Sequence, residues 1–437
     1  MRFRRGGVQK IGIRHEDKTQ WERRIPLVPD QIKMLIEKHG IPIAVQSSGQ
    51  RAFTADEIAS SGAELVESLA ECPVILGVKE VPANRFEAGK TYMFFSHTIK
   101  GQTYNMPMLK RMMELGCSLL DYERIVDDQG RRLVFFGEYA GLAGMIDTLW
   151  SYGQRLAVEG VTSALSSLKP AHQYATLADA ERHIVEVGEA VRSEPSGSSL
   201  APIVCGFSGY GRVSQGAQQI FDLLNPKVIE PGQLGDLSTG DVFCKVVFKE
   251  CDMVEPIDAN KSFELQDYYK NPQGYRGVFE QYLPHLSMLV NCIYWEPKYP
   301  RLVTKDAISK LYGESVSPKL KVIGDISCDP DGSIEITTHA TNPGNPVYVY
   351  DVKRQEAVDG FEGDGPVIMA VDILPTELPR ESSAAFGEAL EDLIPALAAT
   401  PAPEQFADWD LPGPLKSAVI LHRGQLTPDY AYLSKHL

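Results

Sequence analysis

Two stretches in which short apolar runs alternate with helical periodicity, and a glycine turn set between a buried strand and a helix, predict the fold class. They point to an α/β protein with two Rossmann-like parallel-sheet domains and an active-site cleft between them. The first stretch covers residues 10–136, with strand candidates at 11–14, 41–46, 74–78, 91–96, 118–122 and 133–136. Runs such as VILGV lack the polar alternation of a one-sided strand, as parallel strands buried on both faces do. Pro29 opens a helix in which Ile32, Leu35 and Ile36 share a face, and Gly40 stops it. Thr54 and Glu57 have capping-box spacing for the next helix, which ends near Gly62.

Residues 137–160 read as a long helix whose small residues, Ala140, Gly141, Ala143 and Gly144, let it pack closely on a neighbour; it looks like a connector. The clearest loop signal is SEPSGSSLAP, 193–202. A second set of strands is expected at 203–207, 228–230, 242–248, 288–294 and 321–326. The remainder, with the proline-punctuated ITTHATNPGNPVYVYD and a helix near 382–397, has too little core pattern for a domain of its own. The expected organisation is a substrate and catalytic domain over 1–150 and a dinucleotide-binding domain over 151–330. A segment over 331–437 then returns to the first domain and the cleft.

The chain has 437 residues, 43% apolar and 23% charged, values of a globular protein rather than a disordered one. A net charge of -15 excludes a nucleic-acid or anionic-membrane binder, because both need a basic footprint. Anionic ligands must then be held by local cations. Seven cysteines without a CxxC pair indicate neither a disulfide framework nor a zinc site and fit a reducing, cytoplasmic setting. No apolar run approaches the roughly 18 residues of a membrane span. The start, MRFRRGG, leads into the strand-like KIGIR by residue 10, so no targeting signal is expected.

The strongest motif is APIVCGFSGYGRVSQGAQQIFDLL, in which Gly209, Tyr210 and Gly211 follow a strand and a helix begins near Val213. Glycine lets a pyrophosphate approach the backbone amides and the positive helix end. Ser214 stands at the third glycine position, Arg212 lies either near phosphate or on the open surface, and Glu230 follows Gly209 by 21 residues. That is the spacing of an acid that binds a ribose and favours NAD over NADP. The plainer alternative is a turn that merely packs a helix on a sheet.

Parallel sheets bind ligands outside the carboxyl ends of their strands. In the first domain those ends carry Arg14, Lys79, Glu80, His97 and Glu123. Each alone has a structural explanation, but the coincidence across four strands marks a site. The loop RHEDKTQWERRIPLVP adds His15, Lys18, Arg23 and Arg24, able to hold carboxylates or simply balanced by Glu16, Asp17 and Glu22. DISCDPDGSIE brings Asp325 and Asp329 to a strand end of the second domain without calcium-loop spacing, and no metal is expected.

IRHEDKTQWERRIPLVP, ILGVKEVP, FFSHTIKGQ, LLDYERIVDDQGRRLVFFGEYAGLAGMID, FSGYGRVSQGAQQIF and LVNCIYWEPKYPRLVT together resemble the lysine-ketoglutarate reductase domain of bifunctional aminoadipate semialdehyde synthases. These are lysine-forming saccharopine dehydrogenases of the wider alanine dehydrogenase and transhydrogenase superfamily. The resemblance runs from about residue 10 to the C-terminus, through IEITTHAT and MAVDILPTELPRESS. It implies condensation of L-lysine with 2-oxoglutarate and reduction of the imine to saccharopine, or the reverse. It also implies acid–base roles for Lys79 and His97, tuning by Glu80 and Glu123, and carboxylate binding by Arg24, Arg132, Lys100 and Gln102. Asp329 would lie in the substrate cleft, with Ile293 and Tyr294 beside the nicotinamide. NADPH is the coenzyme implied, against the reading of Glu230; NADH is the other. The chain stops at Leu437, where a bifunctional enzyme would continue, so it is expected to act at the lysine end of saccharopine only. The partners expected are these small molecules, with a homo-oligomer left open. The alternatives are an alanine-dehydrogenase-like deaminase, a non-catalytic nucleotide-sensing module and, more remotely, a transhydrogenase half.

Overall fold

The structure, a computed structural model, describes residues 7–194, 200–238, 240–314 and 317–437. Of the loop expected over 193–202, residues 195–199 lie outside the described residues. The chain forms two compact units: unit 1 comprises Met1–Phe136 and Pro379–Leu437, and unit 2 comprises Gly137–Leu378.

Unit 1 begins with β1 (Ile11–Ile13), β2 (Ile43–Gln46), β3 (Glu64–Val66), β4 (Val74–Leu76), β5 (Thr91–Phe94) and β6 (Ser118–Asp121). These run parallel in the order β3-β2-β1-β4-β5-β6. Every residue of β1, β4, β5 and β6 is buried, which is why their sequences show no polar alternation. The helix Pro29–His39 starts at its proline and ends at Gly40, whose φ of 63° suits a residue without Cβ. Thr54 and Glu57 cap the helix Ala55–Ser60 reciprocally. The strand expected at 133–136 is absent: Val126 and Arg132 form an isolated bridge, and Leu133 is exposed. Phe136 instead stacks on Phe386 at 4.7 Å. Apolar character there serves ring packing, not a sheet.

Unit 2 contains β7 (Ile203–Ser208), β8 (Lys227–Ile229), β9 (Phe243–Phe248), β10 (Val254–Pro256), β11 (Tyr275–Gly277), β12 (Met288–Asn291), β13 (Val322–Asp325), β14 (Val347–Asp351), β15 (Glu356–Asp359) and β16 (Val367–Met369). Its eight-stranded sheet has the order β15-β14-β16-β13-β12-β7-β9-β8, parallel from β16 to β8, with β14 antiparallel to both its neighbours. β10 and β11 pair separately. The helix Gly137–Val158 packs on the helix Arg212–Asp222 at a distance that only glycine permits. A Cβ on Gly141 would lie 2.0 Å from the Val213 oxygen, and one on Gly216 would lie 2.3 Å from the Glu138 oxygen. The small-residue helix therefore belongs to unit 2, as the support behind the glycine turn.

The chain then returns to unit 1. The helices Pro379–Glu388 and Ile394–Ala399 bury Phe386, Ile394 and Leu397 in its core, and the Gln31 side-chain amide donates to the Ala384 oxygen at 2.8 Å. β17 (Val419–His422) joins β6 antiparallel, and β18 (Gln425–Leu426) closes that edge. The return thus starts at Pro379, not at residue 331. Residues 331–378 stay with unit 2 because β14, buried at all five positions, and β16 complete its sheet. Among the described residues no helix is long and apolar enough to cross a membrane.

Unit 2 also buries a pair of carboxyls. Asp147 accepts from the Ala171 amide at 2.7 Å and Glu377 from the His172 amide at 3.1 Å, and the two carboxyls hydrogen-bond to one another. Burial pushes both carboxyls up, and the charge of Glu377 adds to the rise at Asp147, so the folded pair retains a proton. A proton held by the folded state and released by the unfolded one makes stability fall as pH rises above the ordinary carboxyl range.

Two outcomes are expected. Gly141→Ala should destabilise unit 2 by roughly 1–3 kcal/mol through overpacking, read as a lower Tm; an unchanged Tm would contradict the close helix contact. Glu377→Gln should flatten the decline of Tm between weakly acidic and alkaline pH, and a decline as steep as in the parent would remove the carboxyl pair from the explanation.

Candidate active site

At the carboxyl ends of the unit 1 strands the chain concentrates charge away from water. Glu16, buried, accepts from the amides of Val78 and Lys79 at 2.8 and 3.0 Å. Desolvation pushes its carboxyl up to about 6 against the pull of Arg14. Glu22 and Arg24, 3% and 4% exposed, form a two-point pair, Nε to Oε1 at 2.8 Å and Nη2 to Oε2 at 2.6 Å. The Arg24 guanidinium also lies 4.2 Å from the centroid of the Phe136 ring. Burial pushes the Glu22 carboxyl up, but Arg24 outweighs it and holds the carboxyl below its ordinary value. Lys79 sits in the same field. Desolvation first, and then repulsion from Arg24, lower its ammonium pKa below 10.5.

His97 and Glu80 form the second element of this rim. The His97 Nδ1 and Glu80 Oε1 are 2.6 Å apart, and Lys18 Nζ donates to Glu80 Oε2 at 2.7 Å. Burial pushes the Glu80 carboxyl up, but the bonds to His97 and Lys18 hold it well below the usual range. His97 has a φ of 47°, a left-handed conformation for a residue with a Cβ. Its oxygen accepts from the Asn105 side-chain amide at 3.2 Å. The preceding Ser96 is fixed through its amide and hydroxyl by Asp121, a fully buried carboxyl that desolvation pushes up to about 6.

The structure brings Arg24, Lys79, Glu80 and His97 into one electrostatic cluster. Glu123 and Arg132 are bonded to each other as an ion pair. Lys100 is exposed on the turn after His97, where its amide donates to the Gln102 side chain at 3.0 Å. Glu16 and Glu22 were legible only as balancing charges, and Asp121 only as part of a strand, because sequence gives their sign but not their burial.

In unit 2 the glycine turn follows β7. Gly209 has a φ of 82°, and a Cβ there would meet Ile293 at 2.9 Å; above Gly211, which opens the helix Arg212–Asp222, the space is clear. A cavity of about 440 Å³ is lined by Gly209, Tyr210, Gly211, Glu250, Ile293 and Tyr294 among others. Arg212 is exposed at the first turn of the helix, and Val213 is half-buried behind it. An open approach to a helix amino end through glycine fits a dinucleotide pyrophosphate. Behind the cavity runs a buried chain: Ser208 donates to Asn291 at 2.8 Å, Asn291 to Asp325 at 2.8 Å, and Thr337 to Asp325 at 2.6 Å. Ser327 donates to the Ile293 oxygen at 2.6 Å, tying that residue to the turn that carries the exposed Asp329. Glu230 is exposed at the end of the edge strand β8 and does not line the cavity; Glu250, beyond β9, does. Spacing pointed to Glu230, but β9 lies between β8 and β7. The available signal was the charged pair Lys249-Glu250 directly after the apolar run VVF.

The family described as "Alanine dehydrogenase/PNT, N-terminal domain" matches residues 12–143. Alpha-aminoadipic semialdehyde synthase of Arabidopsis thaliana is 37% identical over 97% of this chain and 41% of its own length. The mitochondrial enzyme of that name from Mus musculus is 36% identical over 97% of this chain and 47% of its own. The chain thus spans less than half the length of these curated relatives. Among solved structures, an L-alanine dehydrogenase superposes with a TM-score of 0.60 at 15% identity, covering 98% of this chain and 99% of the other, a likeness of fold. Saccharopine dehydrogenase [NAD(+), L-lysine-forming] of Emericella nidulans is 30% identical over 88% of this chain and 91% of its own length. With that match over most of both chains, and with the motifs now placed on two parallel-sheet units, the chain belongs to the family of the L-lysine-forming saccharopine dehydrogenases.

Proposed function

We propose that the chain joins L-lysine to 2-oxoglutarate and reduces the imine to saccharopine with a nicotinamide coenzyme, reversibly. The supporting observation is Lys79, an ammonium depressed by desolvation and by Arg24 on the rim that also holds His97. The condensation needs a base to take a proton from the lysine ε-ammonium, and an acid to return one as the carbinolamine loses water. A lysine whose pKa lies below its ordinary value serves both steps, because its neutral fraction is present nearer neutral pH. His97, bonded to Glu80 through Nδ1, keeps Nε2 for the second proton transfer, and Glu80 fixes the orientation of the ring. Arg24 spends Nε and Nη2 on Glu22, which leaves Nη1 for a substrate carboxylate. Arg132, with Glu123, and the Lys100–Gln102 turn are the further carboxylate-binding groups proposed on this unit, and Asp329 is the substrate-facing acid proposed on unit 2.

Gly209, Tyr210, Gly211, Arg212 and Val213 would hold the coenzyme's phosphates, with Ile293 and Tyr294 at its nicotinamide. When bound, the coenzyme supplies the hydride that the imine carbon accepts. The resemblance favours NADPH; the carboxylate beside the glycine turn favours NADH, and we adopt NADH.

Lysine plus 2-oxoglutarate should oxidise the coenzyme, followed by its absorbance, whereas pyruvate plus ammonium should not; the reverse pattern would sink the proposal in favour of an alanine-dehydrogenase-like reaction. Lys79→Met and His97→Gln should each lower kcat by about 10² or more with coenzyme affinity intact, and full activity in either would return that residue to a structural role. In the parent, kcat for saccharopine formation should rise with pH along a limb centred below 10.5, the ordinary lysine value. Gly209→Val should weaken coenzyme binding about tenfold or more, seen by fluorescence titration, since its side chain would press on Ile293.

A further inference from the structure

We infer that Glu250 selects the coenzyme: its carboxylate receives the 2′- and 3′-hydroxyls of the adenosine ribose and turns away a 2′-phosphate. This rests on the dinucleotide reading of the unit 2 cavity and deepens it. In dinucleotide-binding sheets the ribose meets an acid at the end of the strand beside the first one, commonly about 20 residues past the glycines. Spatial adjacency is the physical requirement, and spacing only its usual correlate.

In this chain the two part company. The strand after the glycine-turn helix, β8, goes to the sheet edge, and β9 takes the place next to β7. Ser208 and Phe248, the last residues of β7 and β9, are register partners, and the Gly209 amide donates to the Phe248 oxygen at 3.0 Å. The residues just past β9 therefore stand beside the glycine turn. Glu250 shares the cavity wall with Gly209, Tyr210 and Gly211, whereas Glu230 lies outside that wall.

The carboxylate is also oriented. Tyr269 donates its hydroxyl to Glu250 Oε1 at 2.6 Å, and Tyr210, from the glycine turn itself, interacts with the same carboxylate. A half-buried carboxylate held in this way offers acceptor oxygens to two vicinal hydroxyls. Against a phosphate dianion it sets like charge in a partly desolvated site. The adjacent Lys249 is exposed and does not line the cavity, so its charge stands in water rather than against the ribose.

The test is nucleotide binding by the whole chain without lysine or 2-oxoglutarate, with NADH and NADPH titrated separately by fluorescence. The parent should bind NADH at least about tenfold more tightly than NADPH. Glu250→Ser and the conservative Glu250→Gln should each narrow that ratio about tenfold or more, while Glu230→Gln should leave it unchanged. A parent that binds NADPH as tightly as NADH would overturn the assignment, as would an unchanged ratio in both Glu250 variants or a shift in Glu230→Gln. Intact NADH selectivity in a protein that forms no saccharopine would support this assignment while sinking the reaction proposed above. Binding of neither nucleotide would sink the dinucleotide reading and this inference with it.

Discussion

Desolvation of charge at the carboxyl ends of the parallel strands is the constraint on which the rest of unit 1 depends. Water is excluded around Glu16, Glu22 and Arg24, so each must find a partner inside the protein. Glu22 and Arg24 satisfy one another at two points, while Glu16 takes the amides of Val78 and Lys79. Removing one member of such a pair typically costs about 3–5 kcal/mol, because the other is left buried and unpaired. The loop bearing Lys79 is thereby locked to the loop bearing Arg24. Its depressed ammonium follows from that lock: the amine is drawn into a site whose negative charge has already been claimed.

The strain at His97 has the same origin. A left-handed non-glycine residue costs on the order of 1–3 kcal/mol and persists only where its surroundings over-determine it. Here the surroundings are specific. Asp121 grips Ser96, Asn105 takes the oxygens of both Ser96 and His97, and Glu80 holds the ring. Sheet, helix start and loop each contribute one anchor, so both the backbone at His97 and its imidazole are held in place.

Much of the architecture was legible from periodicity and punctuation. Buried runs such as VILGV announced parallel strands, Pro29 and Gly40 bounded a helix, and Gly209 and Gly211 marked the turn that the structure sets at the end of β7. What escaped was long-range. Residues 133–136 are apolar enough for a strand, yet Phe136 is used to stack on Phe386, 250 positions away in sequence. VYVYD sits between prolines and looks like tail, yet it is buried throughout because it pairs with β16. Glu230 has the right spacing and Glu250 the right neighbour, and no local pattern reveals that β9 is inserted beside β7. At the candidate site, residue types and strand ends were readable, whereas the burial of Glu16, Glu22 and Asp121, which anchor the surrounding loops, was not.

On the function proposed above, the two units would hold anions in different ways, which suits a chain whose net charge is -15. A carboxylate substrate is small and must be oriented, which calls for the fork of a guanidinium; in unit 1 that would be Arg24, which Glu22 neutralises internally, so the cation adds nothing to the local charge. A pyrophosphate can be met by backbone instead. Unit 2 presents Gly209, Gly211 and a helix amino end, whose peptide groups carry partial positive charge, with the exposed Arg212 on the first turn. Close packing of Gly141 and Gly216 holds that helix in place from behind. In the proposed reading an acidic chain would thus bind anionic ligands in both units, and Glu250 would reject one further phosphate where the backbone had accepted two.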